Sequence, residues 1–265
     1  MDRKVFYDHL RKPDSGVFGS SLSARQVEGM EAILDECERT GADLGQTAYI
    51  LGTGYGESGH QMQPAYENLN YSVKRIPQVF SAERRQGIPA AKLARNPERL
   101  ANTVYGGEWG RKNLGNTHHG DGWEFRGTGI GQITGRGQFE KWGANLGLPL
   151  VSQPELLMRL DVSVKALVCP MLEGWARGHR LDRYVKGARR DYHRARAVWN
   201  HPTSDPAAYA RYARAFEAAL EAAGYAPKPV SAPPETAPAP SAPTAPASGF
   251  WAALMTAILK LFRRT

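Results

Sequence analysis

Glu57 and Glu67 stand ten residues apart in this chain of 265 residues. Cleavage of a glycosidic bond needs one carboxyl group to protonate the leaving oxygen. In most families it needs a second to activate water or to attack carbon. Two glutamates at this separation can meet that requirement, but spacing alone does not separate them from solvated surface carboxylates. Their surroundings differ. Glu57 lies in Gly54-Tyr55-Gly56-Glu57-Ser58-Gly59, at the end of an apolar stretch, where a helix C-terminus and apolar neighbours would favour the protonated form expected of a general acid. Glu67 lies in the polar, irregular stretch Tyr66-Glu67-Asn68-Leu69-Asn70-Tyr71-Ser72, where a carboxylate can stay ionised.

Helices must position this pair, because helical periods dominate the first 225 residues and no convincing alternating strand is found. Ser23-Ala24-Arg25-Gln26 has the capping-box pattern, followed by Val27, Met30, Leu34 and Cys37 at helical spacing. Asp43-Leu44-Gly45-Gln46 opens a second helix that turns Ala48, Leu51 and Tyr55 inward and ends near Ser58-Gly59. Asn96-Pro97 starts a third, with proline in its tolerated first position. Further helices are predicted over 137–146, 154–177 (kinked or broken at Pro170), 182–199 and 206–222.

One segment resists any period. From Tyr105 to Gly137 eleven glycines interrupt the pattern, and long irregular segments in compact domains usually serve a function. Tyr105, Trp109, Asn113, Asn116, Trp123, Phe125, Arg126 and Gln132 are interleaved with them. Aromatic rings and amides of this kind suit the faces and hydroxyls of sugars.

The formal charge of +8 favours an anionic partner, and nucleic acid, anionic lipid, lipopolysaccharide and anionic wall polymer all qualify. Lys228, Lys260, Arg263 and Arg264 against Glu235 give the chain beyond residue 225 a net +3, leaving +5 on the rest. Only Cys37 and Cys169 are present, so neither a disulfide framework nor a thiolate metal cage is readable; buried reduced cysteines are expected. The first eight residues hold no apolar run that could form a signal-peptide core, so synthesis in the cytoplasm is expected, with exit by other means.

Residues 226–248, with eight prolines among alanine, serine and threonine, predict an extended, disordered linker. Beyond it, residues 249–265 predict a cationic amphipathic helix, with Phe250, Leu254, Ile258, Leu261 and Phe262 on one side and Thr256, Lys260 and Arg263 on another. Its apolar part, Phe250 to Phe262, is shorter than the roughly 20 residues needed to span a bilayer and fits an interfacial helix on an anionic membrane or lipopolysaccharide, with docking on the folded domain or on another subunit as the alternative.

Four blocks together resemble the chitinase-like lysins of glycoside hydrolase family 19, found in phage endolysins and bacterial enzymes. They are Gly56-Glu57-Ser58-Gly59; Tyr66 through Ser72; Tyr105-Gly106-Gly107 through Leu114-Gly115-Asn116-Thr117; and the long block from Gly120 to Arg136 that contains Phe125-Arg126-Gly127-Thr128-Gly129-Ile130-Gly131-Gln132-Ile133-Thr134. A weaker likeness extends over residues 5–220, stopping at the linker.

The resemblance implies a lysozyme-like, all-α, two-lobed domain over residues 1–225, with Gly-rich loops at its cleft. It also implies an inverting hydrolysis whose carboxyl groups stand roughly 6.5–9.5 Å apart. Position by position, Glu57 matches the general acid, Glu67 the general base and Thr134 the hydroxyl that helps hold the attacking water. Gln132 matches a substrate-contacting amide and Asn200 a late sugar-binding asparagine; Tyr105 and Trp109 join them as expected substrate contacts. The implied partner is the peptidoglycan glycan strand, with chitin as the alternative polymer. An endolysin of this type would act in the periplasm or wall after release from its host's cytoplasm and needs no cofactor; a monomer without nucleic-acid partners is expected. A non-catalytic wall-binding or membrane-disrupting protein is the rival from another class.

The chain departs from the family at Gly56, where histidine is common, at Thr128, where arginine is usual, and at Gln138-Phe139, where an Asn-Tyr pair is usual. His118-His119 in a Gly-rich loop lacks the ligand count of a metal site, so no metal is expected. The run from Gly127 to Gly131 lacks the Gly-Lys-Ser/Thr ending of a phosphate loop. The basic run from Lys186 to Arg196, with Arg189, Arg190 and Arg194, reads as a solvated helix face that could also attract an anionic wall polymer or nucleic acid.

Overall fold

The computed structural model describes residues 1–227. Residues 228–265, with nearly all of the expected linker and the whole of the expected tail helix, lie outside the described residues. The described chain is mostly helical, the all-α, lysozyme-like class expected. Its helices are α1 (Arg3–Leu10), α2 (Ala24–Thr40), α3 (Leu44–Glu57), α4 (Ile76–Val79), α5 (Pro97–Val104), α6 (Gly107–Leu114), α7 (Asp121–Glu124), α8 (Arg136–Leu146), α9 (Leu160–Glu173), α10 (Arg196–Trp199) and α11 (Pro206–Ala222). Two antiparallel pairs of two-residue strands join them: β1 (Ala65–Tyr66) with β2 (Thr128–Gly129), and β3 (Val185–Lys186) with β4 (Arg189–Arg190).

Local signals set the helix starts. The side chains of Ser23 and Asp43 each accept from the backbone N–H three residues on, and Gln26 and Gln46 each reach back to the cap, giving two complete capping boxes. Asn96 caps α5 ahead of Pro97. Such caps satisfy backbone donors that have no partner within the helix.

Helix α3 is enclosed: Gly45 to Tyr55 are all buried, which suits a helix apolar on every side. α2, α9 and α11 pack around it. α11 comes unusually close, because a Cβ placed on Gly52 would lie 2.8 Å from the backbone nitrogen of Ala213. Two helices approach to that distance only across residues with little or no side chain, and Gly52 and Gly56, one turn apart, form this seam.

Pro170 does not break α9, which continues to Glu173 and ends at Gly174 in the left-handed conformation. A proline has no N–H, so the carbonyl four residues earlier loses its helical partner. That carbonyl, of Ala166, accepts from the indole N–H of Trp142 at 2.9 Å. The substitute bond explains how the helix continues, and it fixes Trp142 in place.

The core falls into three clusters. The largest joins α1, α2, α3, α9 and α11. A second is built from Leu69, Ile76, Phe80, Leu93, Leu100 and Val104, and a third lies around Phe125, Phe139, Trp142 and Leu157. Cys37 and Cys169 are both buried and unbridged.

Two expectations need correction. Residues 182–199 do not form one helix: β3 and β4 make a hairpin there, turning through Gly187 at φ +58°, and only α10 is α-helical. Positive φ at Gly187 suits a tight turn and ends any helical run. The Gly-rich segment is less irregular than its composition implies, since α6, α7 and β2 all lie within it.

Candidate active site

Glu57 closes α3, and two residues from the far end of the chain hold its carboxylate. Arg196 Nη1 donates to Glu57 Oε1 at 2.8 Å, and the Tyr209 hydroxyl donates to the same oxygen at 3.0 Å. Arg196 is 2% exposed. Its guanidinium lies 3.6 Å over the Tyr209 ring, and its Nε donates to the carbonyl of Ser204. The expected apolar surroundings of Glu57 are thus replaced, on one oxygen, by a cation and a phenol. Burial first, and then the negative charge of Glu57, push the Tyr209 hydroxyl well above the ordinary tyrosine range, so it remains a donor.

Arg196 is not the solvated surface group that the sequence predicted, and Tyr209 was not singled out by the sequence at all. Arg196 was expected on a solvated face, yet it is buried on the carboxylate at the start of α10. Tyr209 reaches Glu57 because α11 crosses α3 at the glycine seam. A Cβ on Gly56 would lie 2.7 Å from the Tyr209 ring, so the phenol takes the space a side chain at position 56 would need. The Gly52-x-x-x-Gly56 spacing within an apolar helix was the signal for this close approach.

Glu67 follows β1. Its backbone N–H donates to the carbonyl of Gly127 at 2.7 Å, just beyond the pairing of Tyr66 with Thr128. Its carboxylate receives the Tyr105 hydroxyl, at 2.8 Å to Oε1 and 2.9 Å to Oε2, and the Gly127 N–H at 3.4 Å. Burial, reinforced by Glu67, pushes the Tyr105 phenol far up. Tyr105 is therefore a fixed donor to the second glutamate. Beside it the Arg126 guanidinium lies 4.1 Å from the Tyr66 ring and 3.7 Å from that of Trp123.

Gln132 links the two halves. It lines a cavity of about 330 Å³ together with Glu57, Gly131, Gln138, Trp142, Arg177, Trp199 and Asn200. On its other side, a Cβ placed on Gly127 would touch both Gln132 Oε1 at 2.7 Å and Glu67 Oε2 at 3.3 Å. Only glycine at 127 lets the amide and the carboxylate come together over the backbone. The Gln132 amide N–H₂ is fixed by the carbonyls of Ala65 and Gly129, both at 3.0 Å.

Of the other expected residues, Asn200 shares the cavity with Glu57. Thr134 is half-buried two residues beyond Gln132, with its hydroxyl donating to the Gln132 carbonyl at 3.0 Å. Trp109 lies elsewhere, in the second core cluster beneath the Arg84 guanidinium at 4.2 Å, and lines a different cavity with Glu83 and Gln86. Sequence reasoning missed Arg196, Tyr209, Trp142, Arg177 and Trp199. Among the described residues, no group of three or more His, Cys, Asp or Glu could hold a metal ion.

The Gly-rich segment is held by a buried carboxylate. Asp121, 1% exposed, accepts from the N–H groups of Thr117 and His118 and pairs with Arg136 through two bonds of 2.9 and 2.7 Å. Burial opposes ionisation, but the Arg136 hydrogen bond and the two backbone donors outweigh it and bring Asp121 to about 2.

No family model matches the chain. Over 158 residues it is 34% identical to a protein of Haemophilus influenzae described as a "Glycosyl hydrolase family 19 domain-containing protein", a match covering 58% of this chain and 76% of that protein.

Proposed function

The chain belongs to glycosyl hydrolase family 19, and from that membership we propose that it is an endolysin-type glycosidase cleaving the β-1,4 bonds of peptidoglycan by single displacement. As a family 19 protein it is a glycoside hydrolase of the chitinase- and lysozyme-like kind. In the proposed reaction Glu57 is the acid. Its Oε1 accepts from Arg196 and Tyr209, which leaves Oε2 to carry the proton delivered to the leaving oxygen. Glu67 is the base, held by Tyr105, and takes a proton from the water that attacks the anomeric carbon on the opposite face of the sugar. Thr134 helps hold that water, while Gln132 and Asn200 orient the strand.

The observation that carries this reading is the position of Gln132, which borders the Glu57 cavity on one side and the Glu67 carboxylate on the other. Peptidoglycan is preferred to chitin because the chain carries +8 and chitin is neutral. Release inside a bacterium, with the segment 249–265 engaging an anionic membrane or lipopolysaccharide, completes the proposal.

The test is Glu57→Gln and Glu67→Gln on purified peptidoglycan and on N-acetylglucosamine oligomers, with mass spectrometry of the products. Glu57→Gln should lose nearly all hydrolysis and Glu67→Gln most of it, with the fold intact. Anhydro-muramyl ends would show a transglycosylase instead, and cleavage of the oligomers alone would show a chitinase.

A further inference from the structure

A second concavity, of about 710 Å³, opens beside the β3–β4 hairpin. Arg183, Arg189, Arg194 and His193 line it, with Asp191 as the one carboxylate. Asp191 is already engaged: it accepts from the Arg194 N–H at 3.1 Å and stands 3.8 Å from the Arg194 guanidinium. Arg183 and Arg189 have no carboxylate within ion-pair distance among the described residues. One nitrogen of Arg189 instead donates to the Arg183 carbonyl at 3.0 Å, which ties the two together across the turn. The lining thus carries more positive charge than it neutralises, on forked groups suited to carboxylate or phosphate oxygens.

The placement of this cavity gives the charge a use. Ala197 and Pro202 belong to its wall, while Trp199 and Asn200, between them in the chain, belong to the wall of the Glu57 cavity. The short helix α10 and its C-cap are therefore shared by both spaces. Arg177 adds a cation to the wall of the Glu57 cavity itself. Trp199 and Asn200, which a polymer in the Glu57 cavity would meet, are flanked in the chain by residues of the arginine-lined wall.

We propose that this cavity binds the carboxylates of the acidic peptide stems on a glycan strand held in the Glu57 cavity, so that it selects stem-bearing strands over neutral aminosugar polymers. The proposal rests on the glycosidase reading of the Glu57 groove. Peptide carboxylates are favoured over nucleic acid because the positive lining shares the α10 stretch with an amide- and indole-lined cavity suited to sugar.

The experiment uses the full chain and a variant with Arg183→Gln, Arg189→Gln and Arg194→Gln, whose melting curve must match the parent's. Calorimetric titrations compare a soluble disaccharide-peptide from peptidoglycan, the same disaccharide without its peptide, and a short single-stranded DNA. The parent should bind the stemmed compound about tenfold more tightly than the bare one, an advantage lost in the variant and at high salt. Equal affinity for both sugars, an advantage that survives in the variant, or tighter binding of the DNA would each overturn the proposal. Hydrolysis of intact, stem-bearing peptidoglycan by both proteins is measured alongside. Its absence in the parent would sink the glycosidase reading by itself, whereas normal hydrolysis without stem preference in the titrations would sink only this inference.

Discussion

Gly56 and Tyr209 occupy one another's space: a Cβ on the glycine would lie 2.7 Å from the phenol ring, and that ring's hydroxyl donates to Glu57, the next residue along α3. A histidine at position 56, common in the family, has no room here. Glu57 instead has a polar neighbour from α11, the Tyr209 phenol. Because Gly52 meets Ala213 one turn away, the whole crossing of α3 and α11 fixes the carboxylate.

Gly56→Ala should therefore damage the site more than removal of the Tyr209 hydroxyl does. Displacing the ring also disturbs the Arg196 stack, so a fall in kcat of about a hundredfold is expected, against about tenfold for Tyr209→Phe, which loses one hydrogen bond to a charged group. Kinetics on peptidoglycan decide this; a Gly56→Ala enzyme as active as the parent would refute the crowding argument.

Arg196→Met strands the Glu57 carboxylate without its cation. Breaking one side of a buried pair costs about 3–5 kcal/mol, whereas Arg196→Met combined with Glu57→Gln removes both charges and should recover part of that loss. Urea denaturation of the two single variants and the double variant measures the coupling, and strictly additive losses would show that the pair does not act as a unit.

Tyr105→Phe deletes the donor to Glu67 while keeping the ring in the second core cluster. Activity should drop about tenfold or more with little change in melting temperature, since a hydrogen bond to a charged group contributes about 1.5–3 kcal/mol. A large fall in stability with kcat unchanged would assign Tyr105 a packing role only.

Asp121 predicts a specific acid sensitivity. Its folded value, about 2, lies below the unfolded carboxylate value of about 3.9. Its contribution is therefore complete above about pH 4 and is lost as the pH falls towards 2. The shift corresponds to about 2–3 kcal/mol. Asp121→Asn should lower stability at neutral pH and flatten the dependence between pH 4 and 2, as followed by denaturant unfolding; an unchanged slope would exclude Asp121 as its source.

Much was written locally. The capping boxes at Ser23 and Asp43, the Asn96-Pro97 start and α11 were legible because a cap and the residue it serves lie within one helical turn. The same spacing logic failed over residues 182–199, where a basic, apolar-dotted run imitates a helix although Gly187 turns it into a hairpin. It also put Arg196 on a solvated face, since nothing near it in the chain reveals that a carboxylate lies behind it.

The sequence by itself determined that Glu57 ends an apolar helix, that Glu67 follows in a polar stretch, and that a Gly-rich segment rich in aromatics and amides comes after. Those features depend on residues a few positions apart, where backbone geometry alone fixes who meets whom. Only the tertiary structure decided that Arg196 and Tyr209, 139 and 152 residues from Glu57, hold its carboxylate, and that Gln132 lines the Glu57 cavity while coming close to Glu67 across Gly127. The physical reason is that such contacts arise from how closely helices and loops pack, which depends on where side chains are missing as much as on where they are present.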